Sequence, residues 1–111
     1  MEPLLELIKE AALEKKALEP MLLDLRGISG ITDYFFICSG NTQVQIRAIA
    51  DAITDKLEAA DIPLPPKEGY RDGRWILLDC GSLVVHILNQ QEREFYALEN
   101  LWHDAKVIPV Q

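Results

Sequence analysis

Residues 34–60 read YFFICSGNTQVQIRAIADAITDKLEAA, and two different periodicities follow one another within them. Tyr34-Phe35-Phe36-Ile37-Cys38 is apolar and aromatic almost throughout, the pattern of a central strand covered on both faces. Ser39-Gly40-Asn41-Thr42 then offers a turn able to cap a helix. Beyond it Ile46, Ile49, Ala50, Ile53, Leu57 and Ala60 recur at three- and four-residue steps, as on the buried side of a helix. A strand, a tight turn and an amphipathic helix in that order permit a parallel crossover, which indicates an α/β fold. The other side of the helix carries Gln43, Gln45, Arg47, Asp51, Asp55 and Glu58 and is expected to be solvated.

Toward the N-terminus, Leu4, Leu7, Ile8, Ala11 and Ala12 predict a first helix that starts with Pro3 in its opening turn and runs to about Lys16. Pro20 breaks that pattern, and Met21 to Arg26 reads as a strand ending at Gly27. Toward the C-terminus, DIPLPPKEGYRDGR, from Asp61 to Arg74, holds three prolines and two glycines and is expected to form one long loop without regular structure. Trp75–Asp79 and Leu83–Leu88 flank the turn Cys80-Gly81-Ser82 and predict a hairpin. Asn89, with Glu92 three residues on, reads as a reciprocal cap of a third helix whose apolar stripe is Phe95, Leu98, Leu101, Trp102 and Ala105. Lys106–Val110 adds a last strand, which Pro109 confines to an edge or an end of the sheet. One domain over residues 1–111 is expected, with a mixed β-sheet and flanking helices.

Composition narrows the functional classes. With 49% apolar and 26% charged residues the chain is ordinary globular material, not a disordered or fibrous segment. Its formal charge of −7 leaves too few cations to neutralise phosphates, so direct nucleic-acid binding is disfavoured and a basic protein surface is the better electrostatic match. No apolar run approaches a membrane span, and no secretory or transit signal opens the sequence, so a cytoplasmic protein is expected. Cys38 and Cys80 sit in apolar runs and read as reduced core thiols.

Chemistry is harder to find. Gly27-Ile28-Ser29-Gly30 leads into a strand, so no helix N-terminus awaits a phosphate there. Ser39-Gly40-Asn41 lies at a strand–turn–helix junction, and nucleotidyltransferases of related plan use such a turn with paired carboxylates that hold magnesium. The following strand, however, supplies only Asp79, so two-metal catalysis lacks a ligand. His86 and His103 stand alone in sequence and are expected to be hydrogen-bonded structural residues; no metal or cofactor is implied. A recognition surface is the better candidate. Trp75 and Leu77, on one face of their strand with Asp79, combine with Glu68 as apolar anchors ringed by negative charge, and Tyr96 and Glu99 add a neighbouring strip. Alternation alone leaves open whether Trp75 and Leu77 face the core or the solvent.

Three blocks, TDYFFICSGNTQVQIRAIAD, EGYRDGRWILLDCGSLVVHIL and REFYALENLW, closely resemble the ribosomal silencing factor (iojap-like) family, from about Leu4 to Trp102. The resemblance implies an α/β domain related to nucleotidyltransferases but without their catalytic acids, often a homodimer when free. It further implies a repressor of translation, not an enzyme, that binds ribosomal protein L-fourteen on the large ribosomal subunit and obstructs joining of the small one. Carried over by matched motif, the contact surface is Trp75, Leu77 and Asp79, with Tyr96, Glu99 and Trp102 as secondary positions; Asp33 and Tyr34 serve the fold more than the interface. Many relatives have an acid after the hairpin glycine, where this chain has Ser82. The alternative reading is a degenerate nucleotidyltransferase-like enzyme built on Ser39, Asn41 and Asp79.

Overall fold

A computed structural model describes residues 2–101 and 104–110. Its six-stranded mixed sheet grows from the stretch quoted above. The strand β2 (Tyr34–Gly40) leads through the Thr42 cap into helix α2 (Gln43–Ala59), and the chain returns to place β5 (Leu83–Asn89) parallel to β2 at the centre of the sheet. The remaining pairings are antiparallel: β1 (Leu18–Asp24) with β2, β6 (Lys106–Pro109) with β1, β4 (Trp75–Asp79) with β5, and β3 (Lys67–Glu68) with β4. The order across the sheet is β3-β4-β5-β2-β1-β6, so the parallel partner of β2 is the second arm of the hairpin.

Period-two alternation sorts the sheet into two cores. On one face, Leu22, Phe36, Cys38, Ile76, Leu78, Val85 and Ile87 pack under α2 and helix α1 (Glu2–Glu14), which contribute Ile46, Ile49, Ile53, Leu57, Ile8, Ala11 and Ala12. On the other, Leu23, Leu25, Ile37, Leu88 and Leu98 form a smaller core, covered by the short helix α3 (Gln90–Tyr96) and the single turn α4 (Leu98–Leu101). One face therefore lies under two long helices, and among the described residues the other is only partly roofed.

Four sequence expectations are corrected. The first strand begins at Leu18, not Met21, and contains Pro20. Its register with β2 slips by one residue between Leu18 and Met21, with Glu19 at φ 47°, so Pro20 occupies a bulge where no ladder N–H is required. The long loop is not wholly irregular, since Lys67–Glu68 pairs with Leu77 and Leu78. The third helix is divided by Ala97, in the left-handed region (φ 44°, ψ 58°), and Phe95 is 81% exposed instead of buried in its stripe. Finally, the Asn89 cap is one-sided: its side chain accepts from the Glu92 N–H (2.7 Å), while its own N–H goes to the Arg74 carbonyl (2.9 Å). Trp102 and His103 lie outside the described residues.

Candidate partner surface

The partly roofed face carries most of the residues singled out in the sequence. Alternation along β4 turns Ile76 and Leu78 into the larger core, which sends Trp75, Leu77 and Asp79 to the opposite face. There Trp75 stands beside Leu88, Leu77 beside His86 and Asp79 beside Val84. The question left open by the alternation has a mixed answer: Trp75 borders the smaller core with part of its surface and meets solvent with the rest.

Its ring is held from two sides. The indole N–H donates to His86 Nδ1 (3.1 Å), and the Tyr96 ring lies 4.9 Å away at 55°. Phe95 meets Tyr96 edge-on at 5.0 Å, so the series Phe95, Tyr96, Trp75 runs from exposed to half-buried. An open depression of about 260 Å³ is lined by Glu68, Gly69, Trp75 and Leu77, and a second, of about 310 Å³, by Gln91, Glu92, Phe95 and Tyr96. Glu68, Trp75, Leu77 and Tyr96 thus adjoin one another. Asp79 shares the face but lies four residues further along β4, roughly 13 Å at strand rise. It is exposed, and its carboxylate accepts from the Gly81 N–H (2.9 Å), bracing the hairpin turn. Glu99 falls in α4, and Trp102 lies outside the described residues.

Of the helix face read as solvated, Gln43, Asp55 and Glu58 are exposed, but Arg47 and Asp51 are tied to the loop that leads into Trp75. Arg47 donates to the carbonyls of Tyr70 (3.0 Å) and Arg71 (2.6 Å), and the Tyr70 hydroxyl donates to Asp51 (2.9 Å). That bond to Asp51 raises the Tyr70 pKa, and Lys67 lies over the Tyr70 ring at 4.3 Å. Gly69, at φ 80°, allows the turn between β3 and Trp75; a Cβ there would collide with the Trp75 carbonyl oxygen. Gln45 is engaged too, donating to the carbonyls of Lys15 and Lys16 at the end of α1. Sequence reading missed these ties because a polar helix face looks the same whether it meets water or the backbone of a distant loop.

The nucleotidyltransferase alternative finds its residues apart or occupied. Ser39 is fully buried, and its hydroxyl accepts from Arg93 Nη1 (3.0 Å), a buried arginine that also donates to the Leu18 carbonyl (3.3 Å). The anion-facing start of α2 is filled from within: the Asn41 N–H donates to the Gln45 side chain (2.7 Å) and the Gln45 N–H to Thr42 Oγ1 (3.0 Å). Asp79 sits in register with Val84 and Phe35, at the far end of the sheet from Ser39 and Leu88. Among the described residues no group of three or more His, Cys, Asp or Glu is placed to hold a metal ion. Burial pushes the Cys38 thiol up to about 12 and Cys80 up to about 11, so neither free thiol is activated as a nucleophile. None of the described helices is long and apolar enough to cross a membrane.

Comparison with known proteins agrees over the whole length. The family model described as "Ribosomal silencing factor during starvation" matches residues 1–111. The chain is 40% identical to the ribosomal silencing factor of Halalkalibacterium halodurans, covering 97% of this chain and 92% of that one. It is 41% identical to the ribosomal silencing factor of Bacillus subtilis, covering 92% and 86%. A crystal structure of a Bacillus halodurans protein superposes with a TM-score of 0.85 at 37% identity, over 97% of this chain and 98% of that one. With its blocks, its sheet and its length all matched, this chain belongs to the ribosomal silencing factor family.

Proposed function

We propose that this protein represses translation in the cytoplasm by seating its partly roofed sheet face on ribosomal protein L-fourteen of the large ribosomal subunit, where its bulk keeps the small subunit from joining. The observation that carries the reading is the aromatic series Phe95, Tyr96 and Trp75, running from exposed to half-buried between the two depressions, one of them lined by Glu68 and Leu77. Aromatic anchors ringed by acids suit a basic protein surface, and the net charge of −7 steers the same way while opposing contact with bare RNA. Glu68, Trp75, Leu77, Asp79, Tyr96, Glu99 and Trp102 are the proposed contacts. Steric exclusion needs no catalytic group and no cofactor; an interface of about 800 Å² on each partner is feasible for a chain this size. When free, the protein is proposed to pair with a second copy of itself.

Purified protein mixed with separated ribosomal subunits tests this directly. It is expected to co-sediment with the large subunit and to slow reassociation. Trp75→Ala is expected to lose at least about 2 kcal/mol of binding, as central aromatic anchors do, while remaining folded by circular dichroism. Unhindered reassociation with the large subunits saturated would refute the steric mechanism, and full-strength binding by folded Trp75→Ala would remove that residue from the interface.

A further inference from the structure

Beneath Trp75 lies a histidine whose hydrogen bonding is unusual for its depth. His86 is 4% exposed in the centre of β5, facing the partly roofed side between Ile37 and Leu77 of the neighbouring strands. The Phe35 ring meets it edge-on at 4.4 Å, and the Trp75 ring lies 5.9 Å away. Nδ1 accepts the indole N–H at 3.1 Å, which requires that nitrogen to be unprotonated. A neutral ring then carries its hydrogen on Nε2, and Nε2 is buried with no hydrogen-bond partner among the described residues. Leaving a buried donor unspent is costly, so a leucine would suit this position better if packing were all it provided.

The acceptor nitrogen is what distinguishes histidine from leucine here. An indole held only by ring contacts keeps alternative rotamers; a directional bond to its N–H selects one. We infer that His86 is a positioning residue, which fixes the Trp75 indole by accepting its N–H and so presents the ring to the partner already in its bound orientation. Ordering the anchor in advance removes part of the entropy lost on association. Resting on the reading of Trp75 as a partner contact, the inference adds a residue that touches no partner itself.

Nitrogen-resolved NMR of the full chain tests it, with the Trp75 indole signal assigned by its loss in Trp75→Phe. The wild type is expected to show His86 with hydrogen on Nε2 and none on Nδ1, and a Trp75 indole proton slow to exchange. His86→Leu keeps the apolar volume and removes the acceptor; it is expected to expose that proton to exchange and to weaken binding to isolated large subunits by up to about tenfold. His86→Gln, which restores an acceptor, is expected to recover part of both. Should His86→Leu not fold, Trp75→Phe still reports, since loss of the donor is expected to let the His86 hydrogen distribute over both nitrogens. Hydrogen on Nδ1 in the wild type, or an indole proton still protected in His86→Leu, would overturn the tether. A freed indole with unchanged binding, while Trp75→Ala binds weakly, would overturn the positioning role alone. If Trp75→Ala itself bound at full strength, the interface reading would fall and the positioning role with it, while the NMR would still decide whether the tether exists.

Discussion

At the scale of single residues, three positions have consequences measurable without any partner. Burial pushes the His86 imidazole down to about 4 from its usual 6.5. Between those values the unfolded chain takes up a proton that the folded chain refuses, so the His86 contribution to stability is expected to fall as pH drops from about 6.5, by roughly 3 kcal/mol, the loss being complete below about 4. Urea midpoints measured across this range check it, and His86→Leu is expected to flatten that part of the profile. Gly69 and Gly27 share nearly the same backbone angle, φ 80° and 81°, but a Cβ at Gly69 strikes the Trp75 carbonyl whereas one at Gly27 meets nothing within 4 Å among the described residues. Gly27→Ala is therefore expected to cost about 1 kcal/mol from the left-handed conformation alone, and Gly69→Ala at least about 2 kcal/mol, because backbone must also move. Chemical denaturation of the two variants separates strain from collision.

At the scale of elements, the helices end and begin where side chains and left-handed residues decide. The start of α2 was legible, since Ser-Gly-Asn-Thr before a helical stripe announces a cap, and Thr42 supplies it. The end of α3 was not, because Ala97 is a good helix former that nonetheless takes φ 44° as the C-cap, its N–H returning to the Arg93 carbonyl. Glycine adopts that conformation without a Cβ penalty, so Ala97→Gly is expected to raise stability by about 0.5–1 kcal/mol, seen as a higher urea midpoint at unchanged slope. Pro20 misled in the same way: read as a break, it lies inside β1 because a bulge removes the need for its N–H. Local propensity locates elements well in the two central strands and poorly wherever a bulge or a left-handed residue intervenes.

At the scale of the whole molecule, the uneven roofing of the described sheet is what the proposed docking face rests on. Two helices seal one face, while the other leaves Trp75, Tyr96 and Phe95 accessible beside the acids Glu68 and Glu92. With a net charge of −7, the proposed association with a basic surface of the large subunit is expected to weaken steadily as salt is raised, mainly through a slower on-rate. Stopped-flow mixing with large subunits at several ionic strengths measures this; an on-rate indifferent to salt would argue against electrostatic steering.

The sequence by itself determined the α/β class, the central strand, the main helix, the late hairpin and the family, because those depend on periodicity and on long blocks of residues that neighbours in the chain define. It also placed Trp75, Leu77 and Asp79 on one face of their strand, for the pleat makes that alternation obligatory. Only the tertiary structure decided which face was covered, since coverage depends on where α1, α2 and α3 pack and not on β4. The ties that anchor β4 and the loop before it, Arg47 to the Tyr70 and Arg71 carbonyls, Tyr70 to Asp51, and Trp75 to His86, were equally illegible. Each joins residues 11 or more positions apart, and hydrogen bonds over such separations follow from the path of the folded chain, which no local pattern encodes.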